Sequence, residues 1–165
     1  MPAQPEPDLS LSEWLVLCLL CEQPLHGFAL ARLLDTVGAI GQIWRVPKPV
    51  VYRALQRLEQ LGLARADELQ PSSLGPARSP AEVTSAGRRL ASAWLTRPAS
   101  HNRDIRSELL VKLALLDRAA ADPTPLLRAQ REQLDPIARA LRDRLDSASG
   151  FEGTMLLWRS ETLAG

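Results

Sequence analysis

The sequence predicts a mainly α-helical protein with one small β-hairpin, followed by a C-terminal helical region. Three observations carry this. Apolar residues recur at helical spacing through most of the 165 residues. A stretch rich in Pro, Ser and Gly, 70–80, separates two short strand-like segments. One predicted helix gathers its cations on a single side.

The elements follow in order. Leu11 to Glu22 has helical apolar spacing, with Ser10 or Ser12 as cap. Gln23-Pro-Leu-His-Gly27 reads as a turn. A second helix is expected from Gly27 to Val37, with Leu30, Leu33 and Leu34 inward. Gly38 to Val46, with two glycines and Trp44, is expected to be a connection, in which Trp44 anchors the next helix.

The third helix, Pro49 to Leu61, can be phased at about 100° per residue. Val51, Leu55 and Leu58 form a core stripe, flanked by Ala54 and Leu61. Arg53, Gln56, Arg57 and Gln60 fall opposite, with Tyr52 at the boundary. Pro49 suits a first helical turn, and Gly62 suits a left-handed cap. Leu63 to Leu69 is a weak strand, Ala81 to Val83 its return, and Thr84 caps a helix from Ser85 to Leu95. Helices are then expected from Asp104 to Ala120, Pro125 to Leu145 and Glu152 to Leu163. Pro136 should kink the middle one or begin a new segment with Asp135 as cap.

Charge points to a partner. The segment 42–58 holds Arg45, Lys48, Arg53 and Arg57 and no acid. Net charge is −4 over residues 1–41, +6 over 42–106 and −1 over 107–165, so the total of +1 hides a basic middle. Such asymmetry suggests a polyanion. Arg, Gln and Tyr bond phosphates, and Arg and Gln also read base edges in a major groove. Three helices, a strand, a loop and a return strand is the order of a winged helix-turn-helix, whose third helix enters the groove. Arg65 and Arg78 would then lie on or beside the wing.

Other classes recede. The longest apolar run, Trp14 to Cys21, is eight residues, too short to span a membrane. No secretion signal is visible, so a cytoplasmic location is the default. Cys18 and Cys21 lack the further ligands a zinc site needs and read as small buried apolar residues. No catalytic constellation, metal site or cofactor motif appears. The chain is expected not to be an enzyme. A winged helix used only for protein–protein assembly is the alternative to DNA binding, but such a module has no reason to clear its exposed face of acids.

The motifs resemble one family. Leu25-His-Gly-Phe-Ala-Leu30 is similar to the P-L-H-G-Y-x-L signature of the PadR family of transcriptional regulators. Val51 to Leu63 resembles its L-Y-x-x-L-x-x-L-x-x-x-G-L recognition helix. Gly75-Pro-Ala-Arg78 and Val83-Thr-Ser-Ala-Gly-Arg88 resemble its wing and the L-T-x-x-G-R start of the next helix. The resemblance implies a dimeric repressor on a palindromic double-stranded DNA site, released by a small effector. By position it makes Tyr52 a backbone contact, puts Lys48 and Pro49 in the preceding turn and Arg78 on the wing. The family's wing aromatic is missing from Ser79-Pro-Ala-Glu-Val83, and Pro80 and Glu82 disfavour a regular strand.

The expected organisation is a disordered tail at 1–9, a DNA-binding winged helix at 10–97 and a helical dimerisation region at 104–165. Leu127, Gln130, Leu134, Ile137, Leu141 and Leu145 form a near-heptad stripe, and Ile105, Leu109, Lys112/Leu113 and Leu116 a second. The DNA-binding candidates are Arg45, Lys48, Pro49, Tyr52, Arg53, Gln56, Arg57 and Arg78. Trp14, Trp94 and Trp158 are the candidates for an aromatic effector.

Overall fold

The computed structural model describes residues 7–66, 80–101 and 104–164. Helix α1, Leu11–Glu22, opens on a reciprocal cap: Ser10 Oγ accepts from the Glu13 amide, and the Glu13 carboxylate accepts from the Ser10 amide. Its residues Leu15, Val16, Leu17, Leu19 and Leu20 are fully enclosed, so α1 is the central rod of the core. It packs against α4 (Lys48–Gln60), α5 (Ser85–Thr96), α6 (Leu110–Arg118) and strand β2 (Ala81–Val83). Leu9 also lies in this core rather than in a tail.

Helix α2, Gly27–Leu33, is shorter than the periodicity suggests. The chain turns at Leu34, and Val37 is 91% exposed. The following segment is not a bare connection: it holds the short helix α3, Ala39–Ile43. Its two glycines permit a close approach of the backbone. A Cβ on Gly41 would stand 1.9 Å from the Asp35 carbonyl oxygen, and one on Gly38 2.1 Å from that of Leu33. Val46 N–H returns to the Leu34 carbonyl and closes the loop. The cationic helix is therefore the fourth helix in order, not the third.

Helix α4 buries Val51, Ala54, Leu55 and Leu58, as phased. Gly62, at φ +66°, ends it with a paired bond set: Gly62 N–H to the Glu59 carbonyl and Leu63 N–H to that of Leu58. Strand β1, Ala64–Ala66, then pairs antiparallel with β2, with Arg65 opposite Glu82. The turn before α2 adds an outer rung, since Leu25 and Ala81 exchange both backbone hydrogen bonds. Thr84 caps α5 through the Gly87 amide.

The C-terminal part begins with a π-helical turn, Ile105–Leu109, running into α6. Val111 and Leu115 of α6 join the same core as α1. Arg118 clamps the end of α1 through two bonds to Glu22, at 2.9 and 2.6 Å. Helix α7, Thr124–Ser147, packs against α8, Gly150–Ala164. Pro136 neither stops nor restarts α7. Pro136 and Glu132 are both exposed, so the carbonyl left without its N–H partner lies on the solvent side. Gln130, placed in an apolar stripe by its spacing, is buried because it accepts from the Ala99 amide at 2.7 Å. Among the described residues no helix is long and apolar enough to cross a membrane.

Candidate nucleic-acid interface

The exposed side of α4 is built by what lies beneath it. Burial of its apolar stripe against α1 and α2 turns Tyr52, Arg53, Gln56, Arg57 and Gln60 outward. Arg53, Gln56, Arg57 and Gln60 line one wall of an open groove of about 380 Å³. Ser10, Ser12 and Glu13 from the start of α1 line the other. Among the described residues Arg53 and Arg57 have no acidic partner, so both guanidiniums keep their full charge and donors for a polyanion. The α1 wall carried no motif; its membership shows only when the helices are packed.

At the head of α4, Pro47 is the cap residue and Pro49 sits in the first turn, where a missing N–H costs nothing. The Tyr52 ring rests on the backbone of Gly27: a Cβ there would lie 2.7 Å from the ring carbon Cε1. This accounts for the glycine of the Leu25-His-Gly-Phe segment. Lys48 carries its ammonium 5.5 Å from the centre of the Phe28 ring. Phe28 carries no charge, and its one sequence signal was its place in the Leu25-His-Gly-Phe-Ala-Leu30 segment.

Two of the cations are already engaged. Arg45 pairs with Asp35 at 3.2 Å. The Asp35 carboxyl is held below its usual range, first by the Thr36 amide and then by Arg45. Arg65 pairs across the hairpin with Glu82 at 2.9 Å. Glu82, which reduces the basicity of the wing, thus fixes the direction of an arginine. Arg78 and the loop around it lie outside the described residues.

The tryptophans do not converge on one site. Trp14 and Trp94 stack on each other in the core, 4.9 Å apart and 6° from parallel. The outer face of Trp94 carries the Lys112 ammonium at 4.5 Å. Lys112 is wholly enclosed, bonded to the Arg97 carbonyl and paired with Glu108, each at 2.6 Å. Burial lowers its pKa, and Glu108 works against that shift. A lysine in the apolar phase of the helix was the only sequence signal for this pairing. Trp158, by contrast, is 68% exposed on α8. Cys18 and Cys21 are free thiols, and burial pushes both upward in pKa, away from reactivity.

Helices α1, α2 and α4 with a two-stranded hairpin behind them make this a winged helix-turn-helix protein, extended by a helical arm. Residues 16–93 match the model of the transcriptional regulator PadR-like family. Thirteen solved chains match the fold. Among them is the crystal structure of Bacillus subtilis PadR in complex with operator DNA, with 15% identity and a TM-score of 0.52. That likeness covers 95% of this chain and 94% of the other, so the fold is shared through the C-terminal helices as well. A search of curated proteins gave no match.

Proposed function

We propose that this protein is a DNA-binding transcriptional regulator, acting as a homodimeric repressor on a palindromic site. The observation that carries the reading is the exposed side of α4, where Arg53 and Arg57 form no ion pair among the described residues and Gln56 and Gln60 lie between and beside them. These side chains can bond phosphates and base edges when a helix lies in a major groove. Tyr52, Lys48 and Pro49 form the head of the same surface, and the family resemblance suggests Arg78 as a further contact. Arg45 is the weakest contributor, because Asp35 offsets its charge.

The region 10–97 is the DNA-reading unit in this proposal, and 104–165 supplies dimer contacts. Support comes from apolar surface that the single chain leaves uncovered: Phe151 is 84% exposed, Trp158 68% and Leu157 49% on α8, with Leu127 at 44% and Ile137 at 38% on α7. A large exposed apolar face is the mark of a partner surface. Release by a small aromatic effector belongs to the same proposal. Trp158 is 68% exposed, and Trp14 and Trp94 stack on each other in the core. The working location of such a regulator is the cytoplasm.

The test is fluorescence anisotropy on a labelled duplex of the DNA upstream of the protein's own gene. Arg53→Ala with Arg57→Ala should weaken binding and lower the salt slope by about 1.8, roughly 0.9 for each lost phosphate contact. Unchanged affinity and salt dependence would reject the assignment of α4. Sedimentation should show a dimer at micromolar concentration, with its two α4 helices about 34–36 Å apart, one duplex turn.

A further inference from the structure

We propose that Phe28 is a positioning residue for DNA binding, whose ring holds the Lys48 ammonium at the head of the recognition helix. The inference rests on the DNA-binding reading of α4. Four observations carry it.

Phe28 is 46% exposed, while its helix neighbours Leu30 and Ala31 are buried, so the ring is not a core side chain. The Lys48 ammonium lies 5.5 Å from the ring centre, inside the range of about 6 Å over which a cation is drawn to an aromatic face. Lys48 has no carboxylate partner among the described residues. Finally, Gly27 and Phe28 are adjacent and serve the two head residues of α4 together: Gly27 seats the Tyr52 ring and Phe28 seats Lys48.

The choice of partner has a physical consequence. A carboxylate restrains a cation but offsets its charge, as Asp35 does for Arg45. A phenyl ring restrains the ammonium and leaves the full positive charge for an anion. A lysine stem has large rotamer freedom, which an unrestrained Lys48 would lose on meeting a phosphate. The ring removes part of that freedom in advance, which raises affinity without adding a contact to the DNA. The ligand chemistry is a phosphate of the duplex backbone beside the start of α4.

A double-mutant cycle on the full-length protein tests this, read by anisotropy on the same upstream duplex. Phe28→Leu should weaken binding about threefold, the size of an exposed cation–aromatic contact. Lys48→Gln should weaken it at least as much and lower the salt slope by about 0.9. Added to Lys48→Gln, Phe28→Leu should have no further effect. Phe28→Trp should bind at least as well as the parent and guards against a folding defect of the leucine variant. Equal losses from Phe28→Leu with and without Lys48 would overturn the proposal, since the ring would then touch DNA itself. No loss from Phe28→Leu would also overturn it.

A second arm needs no DNA. In proton–carbon NMR the Lys48 ε-methylene protons should be shifted upfield by the ring and move back in Phe28→Leu. Absence of that shift in the parent overturns the pairing even if the protein binds DNA. A normal shift in a protein that ignores the duplex overturns the reading of α4, and with it only the DNA part of this inference.

Discussion

Gly87→Ala should destabilise the protein by about 2 kcal/mol, although alanine is the better helix former. Gly87 lies in the first turn of α5, directly over the end of α4. A Cβ there would stand 2.1 Å from the Leu63 carbonyl oxygen and 2.9 Å from Val83 Cγ2. An ordinary carbon–oxygen contact is about 3.3 Å, so α5 must retreat by about 1 Å. Two hydrogen bonds hold it in place: Thr84 N–H to the Leu63 carbonyl at 3.0 Å and Thr84 Oγ1 to the Gly62 carbonyl at 2.8 Å. Each contributes about 1 kcal/mol, and both stretch beyond bonding distance with such a shift. Disturbed packing of Ala91 and Trp94 behind them adds about 1 kcal/mol. The alanine returns up to about 1 kcal/mol through helix propensity. The net of about 2 kcal/mol corresponds to a melting point lower by about 4–8 °C in a domain of this size. Urea denaturation of the full-length protein measures it directly. A variant as stable as the parent, within about 0.5 kcal/mol, would refute the reasoning, because the contact would have relaxed at no cost.

Gly27→Ala should behave differently, because its Cβ meets a ring that can swing: Tyr52 Cε1 at 2.7 Å. Stability should change by less than about 1 kcal/mol, while anisotropy reports weaker DNA binding through the displaced Tyr52. Arg118→Met should cost about 1 kcal/mol by losing the two-bonded pair with Glu22, and less in high salt, as thermal melts at two ionic strengths would show. The thiols make stability fall in alkali. Burial raises the pKa of Cys18 from 9.0 in the folded state, so above that value the unfolded chain releases a proton the folded one keeps. Stability then drops by up to about 1.4 kcal/mol per pH unit, and Cys18→Ala should flatten the urea midpoint measured from pH 8 to 10. Lys112 acts in the opposite sense. Its folded pKa is lowered, so the unfolded chain binds the extra proton between the two values and stability rises with pH there; Lys112→Met should steepen the alkaline fall.

Much of this was legible in the chain. Helical periodicity placed α1, α4 and α5 to within a residue or two, and the phase of α4 gave its buried stripe without error. Ser10, Thr84 and Gly62 were readable as caps because capping chemistry is local. The length of α2, the presence of α3 and the continuity of α7 through Pro136 were not. Each depends on a neighbour that local propensity does not see: the backbone under Gly38 and Gly41, and the solvent beside Glu132.

Sequence alone determined the amphipathic phase of α4 and the bias of cations toward its exposed side, since both follow from residue type and helical spacing. Tertiary structure decided which of those cations remain available. Arg45 and Arg65 meet carboxylates ten and seventeen residues away in the chain, and Lys48 meets an aromatic ring twenty residues away, while Arg53 and Arg57 meet none among the described residues. Pairing depends on distance in space, which folding sets, and a count of charges along the chain is blind to it. For the same reason two tryptophans that resembled ligand-binding groups became a stacked pair in the core, and a lysine on an apolar stripe became the buried cation on its face.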